Sequence, residues 1–586
     1  MNYNLNTEDN ISKGKPGFSS LKSLIAHMVK EKKALVIAFI AMIITAALNL
    51  AGPIIIGYTV DNYIQTGRME EVLIISSILF AIYLTTLFTG YLQTKLMGTI
   101  GQRMLYNLRN SVFGKLQELP YAFFNQNKTG DLISRINNDT EKINLFFSQS
   151  LMQFLRSVLT MTGAGIFLLS IHLPLGAAAL SPALLILLFT QAVASWVKDR
   201  NARSLKSEGD LSSEVQESLG NFKVVVAFNR RDYFRKRFNE INHENYSAAV
   251  KAGVANNVFL PVYTLFSNIG LVIVLTLGIW FISQGQFTIG LLISFIAYVN
   301  NFYNPLRQLA SLWASLQVAL AAWDRVRKVL ELENNLPQVK AEKKDASAAL
   351  LSFRDVSFSY PGGNEVLHHI SFDLKEGKTY AFVGPTGGGK TTTASLAARL
   401  FDPVKGKILL HGHDIRSFPA EERVKKIGFI LQDPFLFSGT LRDNILYGND
   451  EYQHVSNNEL SGILQASGLE ALIERFENGL ETKMNVSGDG ISLGQKQLIA
   501  FMRAILRKPD LLILDEATAN IDTVTETLLE EILKKLPEKT TKLIIAHRLN
   551  TIANADVIYF VNTGNVTRAG SLNEAIDMLM KGKIAS

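Results

Sequence analysis

Charge is missing from long stretches of the first half of this chain, and that absence constrains the fold more than any other feature. No side chain is charged from Ala34 to Tyr58, Val72 to Thr94, Ser157 to Ile171 or Leu173 to Val197. The same holds from Ala252 to Leu306, where Ser283-Gln284-Gly285-Gln286-Phe287 is a polar turn that splits the run in two. A bilayer-spanning helix needs roughly 20 predominantly apolar residues. The runs therefore predict six spans, near 34–58, 72–94, 150–171, 174–197, 255–282 and 287–310. Arg156 lies near the end of the third, and the expectation is that its side chain reaches the interface. Six such runs are hard to house in a water-soluble core.

Composition agrees. Charged residues are 19% of the 586 and apolar residues 47%, which excludes a wholly soluble or a disordered chain. The net charge of +7 is placed mainly in three stretches: Lys13 to Lys33, Lys95 to Lys142, and Lys198 to Arg237. By the positive-inside rule these face the cytoplasm, so both termini are cytoplasmic and the basic balance meets anionic lipid rather than nucleic acid. The absence of cysteine excludes disulfides, thiolate metal sites and cysteine nucleophiles. The first residues lack the apolar core and cleavage site of a signal peptide. Residues 18–30 are amphipathic and are expected to lie along the inner interface.

From Leu351 the texture changes to short strands, glycine turns and amphipathic helices. The expected organisation is a cytoplasmic segment (1–33), a six-helix transmembrane domain with long cytoplasmic extensions (34–325), a linker (326–350) and an α/β domain (351–586). In the last, the apolar strand Tyr380–Val383 runs into Gly384-Pro385-Thr386-Gly387-Gly388-Gly389-Lys390-Thr391, and a helical run follows from Thr392. This is a P-loop in its strand–loop–helix context. Its glycines let backbone N–H groups close around phosphate, Lys390 reaches the β- and γ-phosphates, and the Thr391 hydroxyl takes Mg2+. A metal-holding acid belongs on a neighbouring strand. Leu511-Leu512-Ile513-Leu514-Asp515-Glu516 supplies it, with Asp515 for Mg2+ and Glu516 as general base on the attacking water.

With these motifs in place, the chain resembles an ABC transporter half of the exporter type over nearly its whole length. Tyr360, in Phe-Ser-Tyr-Pro-Gly, matches the aromatic that stacks on adenine, and Gln432 the glutamine that meets Mg2+ and faces the membrane domain. Ser492, Leu493, Gly494 and Gln495 follow Ile491 in the place of the LSGGQ signature. Asp522 matches the D-loop aspartate and His547 the switch histidine. The resemblance implies that two such domains sandwich ATP between the P-loop of one and the signature of the other. The segments Tyr121–Asp139 and Glu214–Phe228 resemble the two that couple the nucleotide domain to the membrane.

One departure matters. Leu493 stands where the family has its first signature glycine, and an isobutyl group there crowds the approach of backbone to phosphate. The P-loop, Asp515, Glu516, Gln432 and His547 match the family. The chain is thus expected to hydrolyse its own ATP against the intact signature of a second half-transporter, in a heterodimer. Tyr83, Tyr91, Tyr263, Tyr298, Asn300, Asn301 and Tyr303 are candidates to line a cavity for hydrophobic, amphipathic or cationic molecules. The expected activity is ATP-driven efflux of such molecules across the cell membrane. The alternatives are a regulatory or channel-type protein gated by ATP and a homodimeric lipid exporter.

Overall fold

The computed structural model describes residues 3–5, 31–333, 336, 338–340, 349–432, 434–485, 490–515, 523–545, 552 and 554–584. They divide into two compact units, one holding residues 12–116 and 130–331, the other residues 1–11, 117–129 and 332–586.

The first unit is helical. Its long helices are α1 (Lys32–Thr59), α2 (Met69–Glu118), α3 (Leu151–Ile171), α4 (Leu173–Gly220), α5 (Arg231–Asn257), α6 (Phe259–Ser283) and α7 (Ile289–Leu330). Five continuous segments among the described residues are long and apolar enough to cross a membrane: Lys32–Ile64, Met69–Glu118, Thr129–Ile171, Leu173–Gly220 and Arg231–Ser283. The sixth expected span lies in α7, which has the length. Its apolar stretch is diluted by Asn300, Asn301 and Asn304, so composition alone does not mark it as one.

Backbone polar groups in lipid must be satisfied within the protein, and near its proline α1 takes further donors from α7. Pro53 lies inside it, where a proline supplies no N–H and crowds the carbonyl one turn back. From α7 the Tyr298 hydroxyl donates to the Leu50 carbonyl at 2.6 Å and Ser294 Oγ donates to the Pro53 carbonyl at 2.8 Å. The two helices approach closely enough to do this because a Cβ on Gly57 would lie 2.5 Å from the Gly290 oxygen. Tyr298 is fully buried and its ring stacks on Phe167 at 5.2 Å. Tyr298→Phe keeps the ring and loses the donor, so it is expected to cost about 1 kcal/mol, read as a lowered midpoint of thermal unfolding in detergent.

Arg156 departs from its expected course. Its Nη2 turns inward and donates to Gln93 Oε1 on α2 at 2.5 Å, because the bundle offers it an acceptor that lipid tails do not. Toward the cytoplasmic ends, Arg325 makes a two-pronged pair with Asp139 at 2.7 and 2.5 Å, and that carboxylate raises the pKa of the guanidinium. Buried Arg135 caps the Arg325 carbonyl at 2.9 Å. The short helix Phe222–Ala227 joins α4 to α5 and leaves Phe222, Val224 and Phe228 exposed.

The second unit is α/β. A four-stranded antiparallel sheet orders β2 (Glu365–Lys375), β1 (Ala349–Ser359), β4 (Lys405–Leu410) and β5 (His413–Asp414). A six-stranded sheet runs β10 (Asn565–Ala569), β9 (Val557–Asn562), β3 (Thr379–Val383), β8 (Thr541–Ile545), β7 (Leu511–Asp515) and β6 (Ile427–Ile430). All its ladders are parallel except β9–β10. Such strands are covered on both faces, which is why Leu511–Asp515 reads as an unbroken apolar run before its acid. Residues 117–129 of the first cytoplasmic loop belong to this unit. There Asn127 exchanges hydrogen bonds with the backbone of Tyr3 and Leu5, and the Tyr3 ring meets Phe123 edge-on.

Candidate functional site

The site lies at the carboxyl ends of the parallel strands, where α/β sheets open crevices. The register sets it: β8 pairs Ile545 with Phe382 on one side and with Asp515 on the other, so the end of β3 and the acid of β7 flank the same strand end. After β3 the loop Gly384–Gly389 turns into helix α8 (Lys390–Ala397). Gly384 adopts φ +154° and Gly387 +83°, and Gly389 at +110° caps α8. A Cβ on Gly384 would stand 1.9 Å from the Val561 oxygen, and one on Gly388 2.7 Å from the same atom. The loop is therefore laid directly on β9, with no room for a side chain at Gly384 or Gly388.

Lys390 is 5% exposed, and its Nζ donates to the carbonyls of Gly384 and Pro385, both at 2.9 Å. The ammonium is thus held inside the curve of the loop. Thr391 Oγ1 donates to Asp515 Oδ1 at 3.3 Å, and Asp515 is 3% exposed. A hydroxyl and a carboxylate, both hard oxygens, beside a glycine cradle suit Mg2+ on phosphate. Tyr360, exposed just beyond β1, bonds Thr392 Oγ1 through its hydroxyl at 3.0 Å. Its ring packs edge-on against Phe401 at 5.4 Å, and Phe401 in turn meets Tyr121 at 5.8 Å. A row of three rings thus runs from the proposed adenine shelf to the short helix Tyr121–Gln126. Gln432 follows β6 by two residues and is exposed.

The signature residues form a separate feature. Ser492 caps helix α9 (Leu493–Ile505): its Oγ accepts from Gln495 N at 3.1 Å, and Gln495 Oε1 accepts from Ser492 N at 2.9 Å. The Gln495 amide also donates to the Arg475 carbonyl at 3.1 Å. Among the described residues none of these bonds reaches the P-loop. Leu493, the first residue of α9, is 42% exposed. Further along α9, Arg503 donates to the Asn444 and Phe435 carbonyls at 2.8 and 3.2 Å and lies over the Phe437 and Tyr447 rings. Burial pushes its pKa down from the usual arginine value.

Thus Tyr360, Lys390, Thr391, Thr392 and Asp515 come together with Gly384–Gly389, while Ser492–Gln495 stand on their own helix. Glu516, Asp522 and His547 lie outside the described residues. Sequence reasoning did not reach Val561 as the floor of the loop, Phe401 between two tyrosines, or Arg503 as the anchor of α9. None of the three carries a local signal.

Comparison with known proteins matches this geometry. Residues 35–306 match the family model described as ABC transporter transmembrane region, and residues 367–519 match that described as ABC transporter. The chain is 34% identical over 575 residues to the "Uncharacterized ABC transporter ATP-binding protein YfiC" of Bacillus subtilis, spanning 96% of this chain and 93% of that protein. The chain belongs to the ABC transporter family. This ABC transporter also shares 34% identity over 496 residues with the "Fatty acid ABC transporter ATP-binding/permease protein" of Mycobacterium tuberculosis, 85% of this chain and 78% of that one. With the "Multidrug resistance ABC transporter ATP-binding and permease protein" of Lactococcus lactis it shares 29% over 566 residues, 95% and 94% respectively. The solved structure of a bacterial Atm1-family ABC exporter with ATP bound superposes with a TM-score of 0.76 at 24% identity, covering 94% of this chain and 96% of that one, and establishes the exporter fold. This ABC transporter is therefore a multi-pass protein of the plasma membrane, with a helical membrane domain fused to an α/β ATPase that drives transport.

Proposed function

We propose that this chain is one half of a heterodimeric exporter of hydrophobic or amphipathic molecules, which hydrolyses ATP at its own P-loop against the signature of a partner half. Leu493 carries the reading. It presents an exposed isobutyl group at the first turn of α9, beside the Ser492 cap, where the family places a glycine. In a homodimer that group would meet the phosphates of both sites.

The roles follow from the chemistry of each residue. Tyr360 stacks on adenine. The amides of Gly387–Thr391 and the Lys390 ammonium hold the β- and γ-phosphates. Thr391 and Asp515 would hold Mg2+, with Gln432 completing the set, and the ion would supply positive charge beside the phosphates. Glu516 takes the proton of the attacking water and His547 contacts the γ-phosphate. Ser492, Leu493, Gly494 and Gln495 face the partner's nucleotide, Asp522 lies at the same dimer seam, and the exposed Phe222, Val224 and Phe228 are covered by the partner's ATPase domain. Both termini are cytoplasmic, and the membrane domain takes in residues 34–325, the linker 326–350 and the ATPase domain 351–586. The lipid and drug cargoes named for the Mycobacterium and Lactococcus relatives support an apolar or amphipathic substrate.

Phosphate release by the purified chain tests the pairing. Expected is turnover at least about tenfold lower alone than with a partner half that carries a glycine at the matching position, and recovery of the lone chain by Leu493→Gly. Robust turnover of the unaltered chain alone, unchanged by Leu493→Gly, would remove the heterodimer.

A further inference from the structure

Inside the helical unit a cavity of about 570 Å³ opens between α2, α3 and α7. Gln93, Gln149, Gln153, Arg156, Ser157 and Gln308 line its polar side. Met97 and Met152, both nearly fully buried, add its apolar surface, each one helical turn from a polar lining residue. Arg156 is the single ionisable group of this lining, and no carboxylate is part of it. Its Nη2 donates to Gln93, itself 3% exposed, while its Nε is buried without a hydrogen-bond partner. Gln153 and Gln308 close one edge, with Nε2 of the first donating to Oε1 of the second at 3.2 Å.

A guanidinium partly buried among helices with no carboxylate beside it is expensive, and a buried N–H with nothing to accept from it adds to that expense. Residues kept under those terms are functional by default, with a counter-charge as the natural occupant. Arginine suits planar or tetrahedral oxyanions, which accept from more than one of its five donors. The four glutamines supply further neutral donors without a competing negative charge. The same arrangement repels a cation, which would find a like charge and no acid to balance it.

We propose that this cavity binds the head group of a singly charged anionic amphiphile, a carboxylate or a sulfate monoester, on Arg156, with Gln93, Gln153 and Gln308 completing the shell and the start of the apolar tail meeting Met97 and Met152. This deepens the exporter reading and rests on it. It also narrows the cargo, since cationic drugs are the class that such a lining excludes.

The test uses the full chain, with its partner half where turnover needs one, in phosphatidylcholine nanodiscs. Three dansyl-labelled probes of equal chain length, a fatty acid, its glycerol ester and its trimethylammonium analogue, are titrated for binding and for stimulation of ATPase activity. The acid is expected to bind at least about tenfold more tightly than the cation. Arg156→Gln should weaken the acid by about ten- to a hundredfold, the range of one or two charge-assisted hydrogen bonds, and change the ester by less than about twofold. Arg156→Lys should retain part of the preference, since it keeps the charge but not the fork. The wild-type charge series stands even if a variant fails to fold.

Equal affinity for all three probes, or a preference for the cation, would overturn this inference and leave amphiphile export intact. An acid preference untouched by Arg156→Gln would overturn it as well. So would loss of pair assembly in Arg156→Gln without any acid preference in the wild type, which would place a carboxylate of the second half on Arg156. Failure of every probe to bind or to stimulate turnover would overturn the export reading together with this one.

Discussion

Lys390→Ala should lower kcat/KM for ATP by about 10²- to 10³-fold while the protein still folds and inserts. The ammonium lies inside the loop that the glycines shape, 2.9 Å from the carbonyls of Gly384 and Pro385. No other cation in that loop can take over the charge that builds on the transferring phosphoryl group, because Gly384–Gly389 contributes only backbone and two small polar or cyclic side chains. The structural cost is a separate quantity. Hydrogen bonds at a charged donor are worth about 1.5–3 kcal/mol each, and Lys390 makes two of them to backbone carbonyls. Phosphate release over a range of ATP concentrations reads the first effect, and the thermal unfolding midpoint reads the second. Retention of more than about a tenth of the wild-type kcat/KM would remove Lys390 from phosphate binding.

Gly384→Ala is expected to damage folding itself, by more than about 3 kcal/mol. The added methyl would stand 1.9 Å from the Val561 oxygen and 2.9 Å from its carbonyl carbon, and both are backbone atoms. Val561 cannot retreat easily, because β9 is paired on one side with β3 through Phe560 and Val383 and on the other with β10. A positive φ of 154° adds its own strain for any residue with a Cβ. Gly387→Ala is the control. It too has a positive φ, but a Cβ there would meet nothing within 4 Å. It should cost about 1–2 kcal/mol and leave the sheet in place. Calorimetry or limited proteolysis of the two variants reads the order, and equal tolerance would mean that the loop does not rest on β9.

The sequence reached furthest where the signal is local. Spans are legible because the want of charge over a bilayer's thickness is a one-dimensional property, and α1 to α4 and α6 follow it. The P-loop is legible because all its working atoms belong to one short run. The same reasoning weakened in α7, whose asparagines dilute the apolar count although the helix belongs to the same bundle. It failed at Arg156, where reach to the interface and reach to Gln93 are equally consistent with position along the helix and only the packing of α2 decides. It could not see that Phe401 bridges Tyr121 and Tyr360, since the three rings meet through tertiary structure alone.

The cap at Ser492 has a consequence for the encounter with phosphate across a dimer seam. Its hydroxyl oxygen already accepts from Gln495 N, and Gln495 in turn holds Ser492 N. The side chain is therefore fixed in place by the helix it begins, so no rotamer freedom remains to be lost when an oxyanion arrives. Only the hydroxyl hydrogen is left to swing. The group is preorganised, so the defect proposed for this signature rests on Leu493, the neighbour that follows it, rather than on the serine.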